Sequence, residues 1–255
     1  MVKLSVCIEM FWKGLPEEEK IKKVKNLGFS AFEFWGWKNK DIEKIKKTKE
    51  ETGLTLSTFC FEPNGVFTTD DLSIEELIKG AKETAKIVRI LNCKKLIVTT
   101  GNIVYGESYE ITRRRVIKRL KEIVKIAEDE DFILLLEPLN PIVNHKGYFL
   151  AKTIEAVDIL EEINSKNLKI LYDIYHQQIT EGNIISTIQK FISYIGHFHT
   201  AGVPGRHELI GGELDYRKIF EIIDKTGYNG FIGLEFSPTK EDDEALKETL
   251  NLTYF

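Results

Sequence analysis

The chain has 255 residues, of which 42% are hydrophobic and 30% are charged, and its formal net charge is −4 at pH 7. Proteins that bind nucleic acid usually present a basic face to the phosphate backbone, so this charge balance argues against a nucleic-acid partner. No apolar run approaches the ~20 residues that a membrane-spanning helix needs. The three cysteines have no CxxC spacing, which is typical of a reducing compartment. We therefore expect a cytoplasmic protein whose partner is a small molecule.

Strand-like and helical patterns alternate along the chain. Each strand-like run is short and rich in apolar or β-branched residues, and a helical pattern follows it. One helix is predicted to begin with a capping box, because Glu76 follows Ser73 at the spacing that lets the two residues cap each other. The predicted strands are 4–11, 31–37, 54–61, 94–101, 132–138, 168–174, 196–200 and 231–238. The predicted helices are 16–28, 41–51, 73–91, 109–129, 153–163, 183–194 and 216–226, with a charged helix after 238.

This alternation predicts the fold class. Continuous apolar strands separated by helices indicate a parallel sheet whose outer face is covered by those helices. Eight such units in 255 residues match the strand count and length of a (β/α)₈ barrel. A doubly wound open sheet is the alternative, and the absence of a GxGxxG turn after the first strand weakens it. We predict a single α/β domain, residues 1–255, folded as a TIM barrel.

Four predicted strands end in a side chain that can bind a metal ion. Glu137, Asp173, His199 and Glu235 close the fifth to eighth strands, at spacings of 36, 26 and 36 residues. In a (β/α)₈ barrel, side chains at the C-terminal ends of several strands converge on one rim, where the chemistry takes place. A single acid at a strand end is usually a loop cap or a surface group. Four in successive strands, each after an apolar run, favour a shared site.

The residue types at this rim point to one divalent cation. Three carboxylates in one small volume would repel each other and raise at least one pKa, unless a cation neutralised them. Oxygen-rich ligands with a single imidazole suit Mn²⁺, Mg²⁺ or Co²⁺ better than a structural zinc ion. His197 and His199 lie on the same face of their strand, because side chains alternate. His199 is nearer the rim and is predicted as the ligand, with His197 buried and hydrogen-bonded below it.

Other polar and aromatic residues lie near the predicted rim. His176 follows Asp173 closely enough to touch a substrate, although a core or helix-cap role is also open. Arg206 lies in the Pro-Gly turn of VPGRHE, where its fork of donors could clamp a carboxylate or hydroxyls. A surface arginine fits that spacing equally well. Glu33 lies on the second strand, and the sequence does not decide whether it belongs to the site. Four aromatic residues either wall a sugar-sized pocket or pack in the core: Phe11, Trp12, Trp35 and Trp37.

Several segments together resemble the hydroxypyruvate isomerase family, which belongs to the xylose isomerase-like barrels. The resemblance runs from about Leu134 to Pro238 with the right order and spacing, and it implies a metal-dependent isomerase. Barrels of this superfamily are often dimers or tetramers, so a homo-oligomer is implied as well. The segments are AFEFWGW (31–37), LEPLN (136–140), GYFL (147–150), YDIYHQQITEGN (172–183), PGRHE (204–208) and GYNGFIGLEF (227–236).

The resemblance also implies roles for individual residues. In that superfamily, the carboxylates matching Glu137 and Glu235 form the catalytic acid/base pair and also bind the metal. The residues matching Asp173 and His199 complete the metal site. The expected reaction is proton transfer next to a carbonyl, with the metal acting as a Lewis acid that stabilises an enediolate. Two further positions contact the substrate in that superfamily, and they match His176 and Arg206.

One residue departs from the family pattern and opens an alternative. Hydroxypyruvate isomerases usually carry glutamine where this chain has His199, and histidine there resembles the ketose 3-epimerases of the same superfamily. The PGRHE segment, by contrast, resembles hydroxypyruvate isomerase. We therefore expect interconversion of hydroxypyruvate and 2-hydroxy-3-oxopropanoate, with ketose 3-epimerisation as the alternative. An apurinic-site endonuclease on a related barrel is a more remote alternative. Such sites hold several metal ions and need more histidines than the five in this chain.

Overall fold

Eight parallel strands close into a barrel in this computed structural model, which describes residues 1–254. Each strand pairs with the next one along the chain, and the last strand pairs with the first. The predicted (β/α)₈ architecture is therefore confirmed. The strands are β1 (Lys3–Cys7), β2 (Ala31–Phe34), β3 (Thr55–Cys60), β4 (Lys95–Val98), β5 (Ile133–Leu136), β6 (Leu168–Asp173), β7 (Ile195–Thr200) and β8 (Phe231–Leu234).

Helices connect the strands and cover the outside of the barrel. Across residues 1–254, none of these helices combines the length and the apolar character that crossing a membrane requires. The helices are α1 (Glu17–Asn26), α2 (Ile42–Thr52), α3 (Ile74–Leu91), α4 (Tyr109–Asp129), α5 (Thr153–Ile163), α6 (Ile174–Thr180), α7 (Ile184–Phe191), α8 (Tyr216–Lys225) and α9 (Asp242–Leu250).

The connection after β6 differs from the predicted one. Helix α6 follows Asp173 directly, and the sequence pattern did not predict it because the apolar strand runs into the helix without a turn signal. Asp173 both closes the strand and caps the helix, since its Oδ1 accepts the backbone N–H of His176 at 3.1 Å. The predicted helix 183–194 ends at Phe191 and continues as a 3-10 turn over 192–194.

Two glutamates follow their strands immediately. β5 and β8 end one residue before Glu137 and Glu235, which are therefore the first residues of the loops at the barrel mouth. Both backbones remain bonded to the neighbouring strand. The N–H of Glu137 donates to the carbonyl of Val98, and that of Glu235 donates to the carbonyl of Thr200, each at 3.0 Å. The two carboxylates thus project from backbone that continues the hydrogen bonding of the strands by one residue.

The inner layer of the barrel has an apolar side and a polar side. Ile97, Leu135 and Leu171 form a buried cluster on β4, β5 and β6, separate from the main core between strands and helices. Layers of side chains fill a barrel of this kind, so the polar residues in the layer must satisfy each other's hydrogen bonds. The buried polar residues on the other strands include Ser5, Glu33, Ser57, His197 and His199.

We predict that Ser73→Ala lowers the free energy of unfolding by about 1 kcal/mol. The predicted capping box is present, since Ser73 Oγ accepts the N–H of Glu76 at 3.2 Å and the Glu76 carboxylate accepts the N–H of Ser73 at 2.9 Å. Ser108 occupies the same position before α4 without a side-chain capping bond. Ser108→Ala is therefore the matched control, with an expected change below about 0.5 kcal/mol. Equal losses for the two variants in urea unfolding would contradict the capping role.

Candidate functional site

The four strand-end residues meet at the C-terminal mouth of the barrel. Glu137, Asp173, His199 and Glu235 each place one potential ligand atom so that the four atoms lie within 4.8 Å of one another. All four side chains are buried. Asp173 and His199 are partners in the register of β6 with β7, which sets the separation of their backbones. Closure of the barrel thus assembles a cluster whose members are far apart in the sequence.

His199 lies at the centre of this cluster, and its two buried ring nitrogens make no hydrogen bond within residues 1–254. Its Nδ1 is 3.3 Å from Glu235 Oε2 and 3.8 Å from Glu137 Oε1. Among the residues that the structure describes, neither this Nδ1 nor the Nε2 of the same ring has a hydrogen-bond partner. Buried polar atoms of this kind usually have a partner, which can be an ion or an ordered water. Three carboxylates with one imidazole are also a donor set that suits Mn²⁺ or Mg²⁺, so these residues fit a divalent cation.

The charges within the cluster are unbalanced. Burial, reinforced by the negative charge of Glu235, raises the pKa of Glu137 to about 8. Burial also opposes ionisation of Glu235, but the charges of Arg206 and His199 outweigh it and hold the pKa of Glu235 well below its ordinary value. Burial opposes a charge on His199 as well, and the nearby Glu235 and Glu33 carboxylates still raise its pKa. A cation in the cluster would favour the ionised form of Glu137 and take the place of a proton on His199.

Arg206 reaches the cluster from the loop after β7. Its backbone φ is 61°, a left-handed conformation that few residues other than glycine adopt. The guanidinium pairs with Glu235, lies 4.0 Å from Asp173 Oδ2 and stacks over the ring of Tyr175 at 5.6 Å. Its Nε is buried and has no hydrogen-bond partner within residues 1–254. Arg206 therefore keeps a donor available next to the cluster.

His176 lies in the wall of the site on α6, fully buried. Its Nδ1 accepts the backbone N–H of Asn140 at 3.3 Å and contacts the Asn140 side-chain nitrogen at 2.6 Å. Its Nε2 lies 3.6 Å from Asp173 Oδ2. Burial lowers the pKa of His176 to about 4, so the ring is neutral at physiological pH. With Nδ1 accepting, the proton of the neutral ring is on Nε2, which faces Asp173.

A cavity of about 240 Å³ opens above the cluster. Of the four aromatic residues considered from the sequence, Trp35 lines it. Trp12 instead donates to Asp243 at 2.7 Å, because its loop packs against α9. The lining residues are Trp35, Cys60, Ile97, Thr99, Glu137, Leu139, His145, His176, His199, Arg206 and Glu235.

Two lining residues extend the site predicted from the sequence: Trp35, which its strand-end position offers as a pocket wall or a core residue, and His145, which no sequence pattern indicates. The indole N–H of Trp35 donates to Glu235 Oε1 at 2.7 Å, so this residue touches the cluster directly. His145 lies in the loop after β5, and its ring is 5.1 Å from the ring of His176. Trp35 directly follows β2, and this strand-end position is what made it a candidate for the pocket wall. His145 lies in an irregular loop, where no periodic pattern indicates the direction of a side chain.

Glu33 lies below the cluster on β2 and is 1% exposed. Its Oε2 is 3.0 Å from His197 Nε2 and accepts the hydroxyl of Ser57 at 2.8 Å. Its Oε1 is 3.0 Å from His199 Nε2. Burial opposes ionisation of Glu33, but the two histidines lower its pKa to about 2. His197 is thus buried and hydrogen-bonded below His199, as predicted, and its partner is a residue that the sequence left undecided.

The chain belongs to the xylose isomerase-like TIM barrel family. The model of that family, described as "Xylose isomerase-like TIM barrel", matches residues 21–254. This match confirms the superfamily that the sequence segments indicated.

Curated relatives carry the names of isomerases. The hydroxypyruvate isomerase of Escherichia coli is 28% identical over 254 residues, covering 97% of this chain and 98% of the relative. The 2-oxo-tetronate isomerase of Cupriavidus necator is 38% identical over 218 residues, covering 83% of each chain. The prediction that this chain is an isomerase is therefore confirmed.

Solved structures share the whole fold. A crystal structure described as an AP endonuclease of family 2 from Brucella melitensis superimposes with a TM-score of 0.92 and 24% identity. The superposition covers 98% of this chain and 99% of the other chain. At this identity the likeness extends to the fold alone.

We predict that Asn140→Ala loosens the loop after β5 and lowers the free energy of unfolding by about 1–3 kcal/mol. The buried side chain accepts the N–H groups of Val143 at 2.9 Å and of Asn144 at 3.2 Å, besides contacting His176. The exposed Asn39 provides the control, and Asn39→Ala should stay within about 0.5 kcal/mol of the wild type. Urea unfolding measures both variants. Amide hydrogen exchange at Val143 should accelerate in the Asn140 variant, and unchanged exchange would rule out this role.

Proposed function

We propose that this chain is a metal-dependent isomerase that interconverts hydroxypyruvate and 2-hydroxy-3-oxopropanoate. The observation that supports this most directly is the cluster of three carboxylates and one imidazole, with its ligand atoms within 4.8 Å, next to Arg206. The names of the relatives add support, because hydroxypyruvate and 2-oxo-tetronate are both short 2-oxo acids. The proposed substrate class is therefore a short 2-oxo acid with a hydroxyl on the carbon next to its carbonyl.

The cavity and its charges suit this substrate class. Its volume of about 240 Å³ is below the ~300–1,000 Å³ typical of pockets for drug-sized ligands, which favours a substrate of few carbons. Arg206 would hold the substrate carboxylate, because a guanidinium binds a carboxylate through a fork of N–H donors. His176, neutral and with its proton on Nε2, would donate to a neighbouring substrate oxygen. The apolar side chains of Ile97 and Leu139 would exclude water from the reacting carbons.

We assign the metal site to Glu137, Asp173, His199 and Glu235, with His199 binding through Nδ1. The unsatisfied Nδ1 and the oxygen-rich donor set support this assignment, and Mn²⁺, Mg²⁺ and Co²⁺ are the candidate ions. When bound, the ion would act as a Lewis acid towards the substrate oxygens.

Proton transfer is assigned to the two glutamates. The reaction moves a proton from C3 to C2 of hydroxypyruvate through an enediolate. The hydroxyl proton passes from the C3 oxygen to the C2 oxygen, so the carbonyl moves from C2 to C3. Glu137 and Glu235 follow strands three apart around the ring, so they can approach a flat intermediate from different sides. One would remove the C3 proton and the other would deliver a proton to C2. Positioned acid/base groups contribute about 10²–10⁴-fold, so orientation by Arg206 and the ion must supply the remaining acceleration.

A ketose 3-epimerase is the second candidate, and His199 favours it. Histidine at this position resembles the ketose 3-epimerases, in which the same two carboxylates would remove and return a proton at one ketose carbon. That reaction needs no carboxylate on the substrate. The two candidates therefore differ in what Arg206 binds.

We predict that the purified protein with Mn²⁺ converts hydroxypyruvate, and that Arg206→Lys raises the KM for hydroxypyruvate about tenfold. Lysine keeps the positive charge beside Glu235 but loses the fork that holds a carboxylate. Arg114→Lys on the exposed surface of α4 is the control and should leave KM unchanged. Product formation is followed by nuclear magnetic resonance. Epimerisation of a ketopentose or ketohexose with hydroxypyruvate left unchanged would establish the epimerase instead.

We also predict that Glu137→Gln and Glu235→Gln each lower kcat by about 10²–10⁴-fold at saturating Mn²⁺. Glutamine has nearly the same shape as glutamate but cannot accept a proton from carbon. Glu19→Gln, in the exposed first turn of α1, is the matched control and should retain wild-type kcat. Solvent deuterium incorporation into the substrate should fall together with kcat. Turnover that survives in either variant would remove that residue from the acid/base pair.

A further inference from the structure

A chain of buried polar side chains runs beneath the proposed metal site. Ser5 Oγ and Ser57 Oγ are 2.6 Å apart, and Ser57 Oγ donates to Glu33 at 2.8 Å. Glu33 in turn contacts both histidines of β7, with Oε2 towards His197 and Oε1 towards His199, each at 3.0 Å. The chain therefore connects β1, β3, β2 and β7 across the interior of the barrel. It ends at the imidazole that lies among the three carboxylates.

We propose that Glu33 is a positioning residue that holds His199 with Nδ1 directed at the metal. This inference rests on the proposed function, because it concerns the orientation of a proposed ligand. An imidazole has two ring nitrogens, and the hydrogen bond at one of them determines which nitrogen is left to bind a metal. Here Glu33 Oε1 lies 3.0 Å from Nε2, and neither atom has another polar partner within residues 1–254, so a proton on Nε2 is directed at this carboxylate while Nδ1 faces Glu137 and Glu235. Carboxylates that hold metal-binding histidines in this way are common in metalloproteins.

The packing around His199 supports a fixed ring. Its ring is 5.3 Å from the ring of His197, in an edge-to-face arrangement. On the other side lies Gly233 of β8, where an added Cβ would collide with Glu33 Oε1 and with His199 Cδ2. A glycine at this position thus leaves the space in which Glu33 and His199 meet.

Glu33 could instead be read as a metal ligand, because Glu33, His197 and His199 also bring potential ligand atoms close together. The contact between Glu33 Oε2 and His197 Nε2 argues against this reading. These two atoms are at hydrogen-bond distance, 3.0 Å, and Ser57 occupies a second acceptor site on the same oxygen. An ion between them would have to break the contact between Glu33 and His197 and share the oxygen with Ser57. The geometry therefore fits an orienting carboxylate.

The test is the Mn²⁺ dissociation constant of Glu33→Gln, measured by titration with electron paramagnetic resonance detection of free Mn²⁺. The amide keeps the shape of the side chain but places an N–H₂ donor against an imidazole N–H. We expect the dissociation constant to rise about 10- to 100-fold, with kcat partly restored at saturating Mn²⁺. Ser57→Ala, which removes a contact to Glu33 and none to His199, should weaken Mn²⁺ binding less. Glu19→Gln should bind Mn²⁺ as the wild type does.

A second variant keeps the carboxylate and disturbs its placement. Gly233→Ala should push Glu33 and His199 apart and also raise the Mn²⁺ dissociation constant. This variant tests the proposal if Glu33→Gln does not fold. A purely structural role would lower the thermal midpoint of the metal-free protein and leave the dissociation constant at the wild-type value, which would overturn the proposal. Wild-type protein that binds no Mn²⁺ would overturn the proposed metal-dependent function itself, and the role of Glu33 with it.

Discussion

The organisation of this protein depends on burying three carboxylates around one imidazole. Like charges a few ångströms apart in a poorly polarisable interior repel strongly, and each also loses its hydration. Arg206 and His199 offset part of that cost, which is why Glu235 stays ionised. They do not offset all of it, because the pKa of Glu137 remains raised to about 8. A site with this residual imbalance is suited to a bound cation, to proton transfer, or to both.

The barrel makes such a cluster possible because different residues stabilise the fold and form the site. The core between strands and helices is apolar, and the strand ladder holds the backbone on both sides of each strand end. Glu137 and Glu235 are hydrogen-bonded to the neighbouring strand through their own N–H groups. Their positions therefore depend on the strands more than on the loops that follow them. The polar half of the inner layer then supports the cluster from below through Glu33. Glu33 therefore belongs both to the packed interior of the barrel and to the support of the site.

Local patterns in the sequence determined much of the fold and the membership of the cluster. Helices α4 and α5 have the predicted bounds, because their apolar residues recur at helical spacing over several turns. The capping box at Ser73 is equally local. Glu137, Asp173, His199 and Glu235 could be selected because each follows an apolar run, and because the barrel is a fold whose strand ends converge. The sequence alone thus defined the eight-unit architecture and the residues brought to one rim.

Only the tertiary structure decided the contacts between residues that are distant in the chain. Glu33 and His197 are 164 positions apart, and no periodic pattern links them. Trp12 and Trp35 each lie in the loop after one of the first two strands, yet Trp35 donates to Glu235 and Trp12 donates to Asp243. The physical reason is that periodicity reports which face of an element is buried. The partner that a buried polar atom meets there depends on how the strands close into the barrel.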